Sequence, residues 1–182
     1  MHRYLSLMAL AAATAASVSC SDALRQSTSP VLVVVSSITD SQNKAPVFSD
    51  VTNHINDPAS ATLQAVMKNA SVQPTTNNLV VINRYHVQFT RSDGRNTEGV
   101  DVPYAFDGAV TASVSPGQSA IVAFDLVRNA AKREPPLTQL AAGGTVVSMI
   151  ATITFYGQDV VGNGISATGT ITVNFGRFNT GS

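Results

Sequence analysis

Residues 145–175 read TVVSMIATITFYGQDVVGNGISATGTITVNF, and this stretch decides the fold class. In its first half Val147, Met149, Ala151, Ile153 and Phe155 alternate with Ser148, Thr152 and Thr154, the period-two pattern of a strand with one covered face. In its second half Ile165, Ala167, Gly169, Ile171, Val173 and Phe175 alternate with Ser166, Thr168, Thr170, Thr172 and Asn174. Between the halves, Gly157 to Gly164 holds the Gly and Asn residues that reverse a chain at positive φ. The reading is a long β-hairpin, and nothing in it performs chemistry.

Composition extends the same reading to the whole chain. Of 182 residues, 44% are hydrophobic and 12% charged, the latter about half the ~25% of an average soluble domain. Val, Thr, Ser, Ala and Gly suit pleated sheets and turns better than surface helices, so one all-β domain is expected. Eleven basic residues balance eleven acidic ones; without Arg3 the balance is 10 − 11 = −1, which lacks the clustered positive charge that a nucleic-acid partner demands.

Working outward, Val31 to Val35 is an uninterrupted apolar run, expected to be a strand buried on both faces. Gln42 to Asp57 reads as a long loop. From Pro58 to Asn69 the residues suit a helix capped at Asp57, but Ala61, Leu63, Ala65 and Met67 also alternate; the strand is chosen because a sandwich needs a second central strand there. Leu79, Val81, Tyr85, Val87 and Phe89 give a strand ending at the Ser92-Asp93-Gly94 turn. A long excursion, Arg95 to Gly108, precedes two short strands around Val110–Val114 and Ala120–Leu126. Arg128 to Glu134 fits one helical turn stopped by Pro135 and Pro136, and a connection through Leu137 and Leu140 returns to the hairpin. About seven strands with turns between them suit a two-sheet Greek-key sandwich. Its expected core is Tyr85, Val87, Phe89, Val122, Phe124, Leu126, Met149, Ile153, Phe155, Ile171 and Val173.

Candidate chemistry is sparse. Beyond the N-terminal segment, His54 and His86 have no metal-ligand spacing to another His or Cys, and Ser119 sits in a turn-to-strand context that no nucleophile elbow uses. No catalytic residue and no cofactor is expected. Asp93, Glu98, Asp101 and Asp107 share one connection, either as calcium-binding carboxylates or, as the preferred reading, as solvated acids. Tyr104 and Phe106 are either an exposed partner contact or, as the preferred reading, a plug for the open end of the core. Arg128, Lys132 and Arg133 read as a solvated face.

The N-terminus looks like an export signal: Arg3, then an apolar run from Leu5 to Ala16 that is too short for a ~20-residue membrane span. It ends at Ser17-Val18-Ser19-Cys20, which resembles the lipobox of bacterial lipoproteins, with Ser17 where an aliphatic residue is usual. Cys20 is the one cysteine in the chain, so it has no disulfide partner. The resemblance implies acylation of Cys20 and, with Ser21 following, the outer membrane; the alternative is ordinary signal cleavage after Ala15 or Ala16. Residues 1–19 are then the signal, 20–30 a polar tether able to reach ~30 Å, and 31–178 the sandwich.

Asp159-Val160-Val161-Gly162-Asn163 and its alternating tail resemble the closing hairpin of bacterial immunoglobulin-like domains. With Asp93-Gly94-Arg95-Asn96, Val100-Asp101-Val102-Pro103, Pro135-Pro136-Leu137 and Thr154-Phe155-Tyr156-Gly157, the chain is similar to uncharacterised exported bacterial lipoproteins. The resemblance implies an immunoglobulin-like sandwich at the cell envelope and carries no activity. The expected function is a non-enzymatic binding or structural module with a possible protein partner at Tyr104 and Phe106; its rival is a calcium-dependent adhesin or envelope enzyme using the 91–108 connection.

Overall fold

A computed structural model describes residues 29–178. The signal, Cys20 and most of the tether lie outside the described residues. The order is β1 (Val31–Asp40), β2 (Val47–Asp50), β3 (Asp57–Met67), a 3₁₀ turn (Thr76–Asn78), β4 (Val80–Thr90), β5 (Phe106–Val114), β6 (Ser119–Val127), α1 (Asn129–Lys132), α2 (Leu137–Leu140), β7 (Val147–Asp159) and β8 (Gly164–Gly176). The fold is mostly β. One sheet has the order β1-β3-β6 and the other β2-β8-β7-β4-β5, the larger one curling as it passes from edge to edge.

The hairpin forms as expected. β7 and β8 pair antiparallel from Val147↔Phe175 to Gln158↔Gly164, so the strands run further than the sequence pattern indicates and only 160–163 is left to turn, with Gly162 at φ +93°. All eleven expected core residues are buried. Across the two sheets, the Phe124 and Phe155 rings meet edge to face at 5.4 Å, and Tyr85 lies 5.3 Å from Phe124. Such rings bury large apolar areas and add about 0.5–1.5 kcal/mol per favourable pair.

Four expectations are corrected. The Val31–Val35 run is not buried on both faces: Val31 and Val33 are covered, while Leu32 and Val34 stay 46% and 43% exposed. In a two-layer sandwich each sheet has a single covered face, and β-branched residues on the other face still suit the pleat. The 42–57 loop contains β2, which pairs parallel to β8 from Val47↔Val173 to Asp50↔Gly176; four residues after the Ala45-Pro46 bond show too little alternation to be read. The 95–108 excursion ends early, because Phe106 already belongs to β5. The strand count is therefore eight.

The facing of β4 also differs from the pattern read in sequence. Val80 and Ile82 point inward rather than Leu79 and Val81, and the alternation then slips so that Tyr85, Val87 and Phe89 are buried as expected. The cause is a register irregularity between Ile82 and Arg84, shared by both neighbours of β4. One extra residue moves every later side chain to the opposite face. Gly157 pairs with Ile82 at this step, and a Cβ there would run into the Val81 carbonyl oxygen; the close approach of two backbones requires glycine.

The segment read as strand or helix forms a strand over Asp57–Met67: β3 is the centre of its sheet, hydrogen-bonded to β1 and β6. At the N-terminal side, Ser29 is already buried and the Pro30 carbonyl accepts from the Lys68 N–H at 2.9 Å.

Candidate functional site

The 91–105 connection leaves β4 at one end of the sandwich and is built on a carboxylate. Asp93 accepts from the Arg91 Nε and Nη2 groups at 3.1 and 2.6 Å and from the Arg95 Nε and Nη2 groups at 3.0 and 2.8 Å. These two guanidinium groups hold the Asp93 carboxyl well below the usual carboxylate range. Asn96 Oδ1 accepts the Arg91 backbone N–H at 2.6 Å. Further along, Asp101 Oδ2 accepts the Thr97 N–H at 3.2 Å, and Glu98 Oε1 accepts the Ala105 N–H at 3.3 Å. Gly99 adopts φ +73°, and a Cβ there would run into the Tyr104 side chain. Val102 and Pro103 are buried beneath this frame.

The result is a braced loop that turns two apolar side chains outward, Val100 at 63% and Tyr104 at 57% exposure. Phe106 separates from Tyr104. It is half-buried at the start of β5, with its ring 6.2 Å from Tyr85 and the Arg128 guanidinium 3.9 Å above its centroid. Of the two aromatics, Tyr104 presents itself to solvent and Phe106 closes the edge of the core.

The four loop acids do not converge. Asp93 is committed to two arginines, Glu98 and Asp101 to backbone N–H groups. Asp107 lies on β5, 3.3 Å from Arg84 Nη1 and 3.4 Å from His86 Nδ1. Among the described residues no group of three or more His, Cys, Asp or Glu side chains is placed to hold a metal ion. His86 stands on the outer face of the larger sheet beside Arg84, whose guanidinium covers the Tyr156 ring at 4.2 Å, and His54 is exposed in the loop after β2.

Two polar centres escaped the sequence reading. Lys132, expected on a solvated face, is buried, and its Nζ meets Asp57 Oδ1 at 2.6 Å. The other Asp57 oxygen and Ser49 Oγ are buried without a hydrogen-bond partner among the described residues. The pair joins α1 to the start of β3 across 75 residues of sequence, and removing one partner would strand a buried charge. No short-range pattern announces a contact of that separation. Beside it, Asp40, Lys44, Phe48, Ile55, Asn56 and Asp57 line an open cavity of about 330 Å³. At the other end of the sandwich, Asp159 is buried beneath the β7–β8 turn and accepts from the Val161 and Asn163 N–H groups at 3.1 and 2.8 Å and from Asn163 Nδ2 at 2.9 Å.

No family model matches the chain, and no curated protein is significantly similar to it. Among solved structures, the Northeast Structural Genomics Consortium target SoR45 is 11% identical, with 84% of this chain and 91% of that one covered at a TM-score of 0.37. The ApaA protein of Bordetella pertussis is 14% identical, with 82% and 95% covered at a TM-score of 0.31.

Proposed function

We propose that this chain is a non-enzymatic binding or structural module of the cell envelope, lipid-anchored at Cys20, with the 91–105 loop as its contact region. The observation that carries the contact region is Tyr104: an aromatic side chain held outward on a loop whose own hydrogen bonds fix its shape. Recognition by such a loop loses little ordering entropy on binding, and an exposed tyrosine combines apolar area with a polar tip.

The sandwich is of the immunoglobulin-like Greek-key type in this reading. Supporting it are the strand orders β1-β3-β6 and β2-β8-β7-β4-β5, in which the chain crosses from one sheet to the other between β1 and β2 and returns at β3. Supporting the anchor is the sequence alone, a lone cysteine closing an apolar run.

Crosslinking in the native envelope, with wild type beside Tyr104→Ala, tests the contact region. Loss of one defined partner from the variant is the expected result, and unchanged capture overturns the role of the loop. Mass spectrometry of the N-terminal peptide tests the anchor: an acylated Cys20 is expected, and an unmodified peptide beginning near Ser17 overturns it.

A further inference from the structure

A cation and an anion taken out of water together must satisfy each other, because little else remains to solvate them. Lys132 and Asp57 do so incompletely. The Lys132 side chain is fully buried and that of Asp57 is 18% exposed, with Nζ 2.6 Å from Oδ1. The other carboxyl oxygen, Oδ2, is buried and accepts no hydrogen bond among the described residues. The remaining ion pairs among those residues set Arg84 and His86 against Asp107, and Arg91 and Arg95 against Asp93. None of them contains a primary amine.

We propose that Lys132 and Asp57 join covalently, Nζ to Cγ, in an isopeptide bond that forms within the folded chain. The carboxyl carbon lies one bond beyond Oδ1, near the ~3–3.5 Å at which reacting atoms are poised to meet. Dry surroundings remove the obstacle that water imposes. In water the amine is protonated and the carboxylate ionised, so neither reacts; in an apolar site the neutral amine and carboxylic acid compete with the ion pair. A proton passes from Nζ to Oδ1 along their hydrogen bond. The electron pair on Nζ then attacks Cγ, the bond from Cγ to the protonated oxygen breaks, and that oxygen leaves as water with a second proton from the nitrogen. The amide keeps the third. Ammonium plus carboxylate becomes amide plus water, so no other reactant is consumed, and the water has an exit through the open cavity that Asp57 lines. The competing dehydration of an aspartate, closure onto the next backbone nitrogen, is barred at Asp57 because Pro58 has no N–H. The product fastens α1 to the start of β3 across 75 residues of sequence. It does not depend on the role proposed for Tyr104.

Peptide mass mapping of the purified full chain tests it. Trypsin cuts after Lys44, Lys68, Arg128 and Arg133, and an acylated Lys132 is no longer a cleavage site. The expected product is peptide 45–68 joined to peptide 129–133, one water lighter than their sum, in most chains. On a boiled, reduced denaturing gel the wild type should run ahead of Lys132→Arg, which keeps the positive charge but offers no primary amine. Free 45–68 and 129–132 peptides with no joined product overturn the proposal. So does a lost water that maps to Asp93-Gly94 or Asp107-Gly108. Because the map is read on the wild-type chain, a variant that fails to fold leaves the test intact.

Discussion

Two loops at opposite ends of the sandwich are each organised by one aspartate, and they use it in opposite ways. Asp159 is 2% exposed and satisfied by neutral donors within its own turn. Asp93 is open to water and held between two arginine side chains. Neutral donors in a buried site are hardly touched by salt, and losing their acceptor leaves N–H groups without a partner. Ion pairs at a surface contribute little to global stability and weaken with ionic strength. One aspartate therefore belongs to the fold, the other to the shape of a single loop.

The largest effect expected from this contrast is at Asp159. Asp159→Ala removes the acceptor of several hydrogen bonds and should destabilise the chain by about 2–4 kcal/mol in chemical denaturation. A loss no larger than that of an ordinary surface substitution would place the turn outside the cooperative fold.

Acid should separate the two next. Burial pushes the Asp159 carboxyl up, but the Asn163 amide, the Asn163 and Val161 N–H groups and the Ser29 hydroxyl together bring it below its ordinary value. A carboxyl lowered in the folded state stabilises above the unfolded value of about 4 and loses that contribution as pH falls through the folded value. Stability measured from pH 6 downward should therefore fall below about pH 4, and the Asp159→Asn curve should be flatter over the same interval. Parallel curves would show that the carboxylate's charge is irrelevant there.

A smaller and more local response is expected at Asp93. Asp93→Asn, or 1 M salt with its ~3 Å screening length, should speed amide exchange at Arg91 and Arg95 while leaving the melting temperature of the whole chain nearly unchanged. A large drop in melting temperature would contradict the division drawn above. Smallest of all is calcium. Because Asp93, Glu98, Asp101 and Asp107 are each committed elsewhere, millimolar calcium should give no thermal shift, whereas a bound ion would raise stability with the logarithm of its excess.

What was legible in sequence follows the range of the interaction. The β7–β8 hairpin pairs residues joined by one short turn, and its alternation specified both faces correctly. In β4 the same alternation misplaced Leu79 and Val81, since a one-residue irregularity leaves no mark in hydropathy. β2 was hidden because its pairing with β8 lies more than a hundred residues away. In the candidate site, the plug preferred for both aromatics fits the half-buried Phe106 and fails for the exposed Tyr104; two positions apart, they are separated by where β5 begins. Lys132 looked like one cation in a basic cluster, a locally sound reading that tertiary packing against Asp57 overrode, whereas the strand chosen over a helix capped at Asp57 formed.

Ser29 links the entry of the chain to the far turn. Its hydroxyl accepts the Val31 N–H at 3.2 Å and helps hold the Asp159 carboxyl below its ordinary value, while the last strand, β8, ends at Gly176 beside Val147 and Asp50, at the other end of the sandwich. Tension applied from the N-terminal side would pass along β1, whose nine pairs with β3 lie side by side across the direction of pull. In that geometry the bonds are sheared together instead of opening one by one.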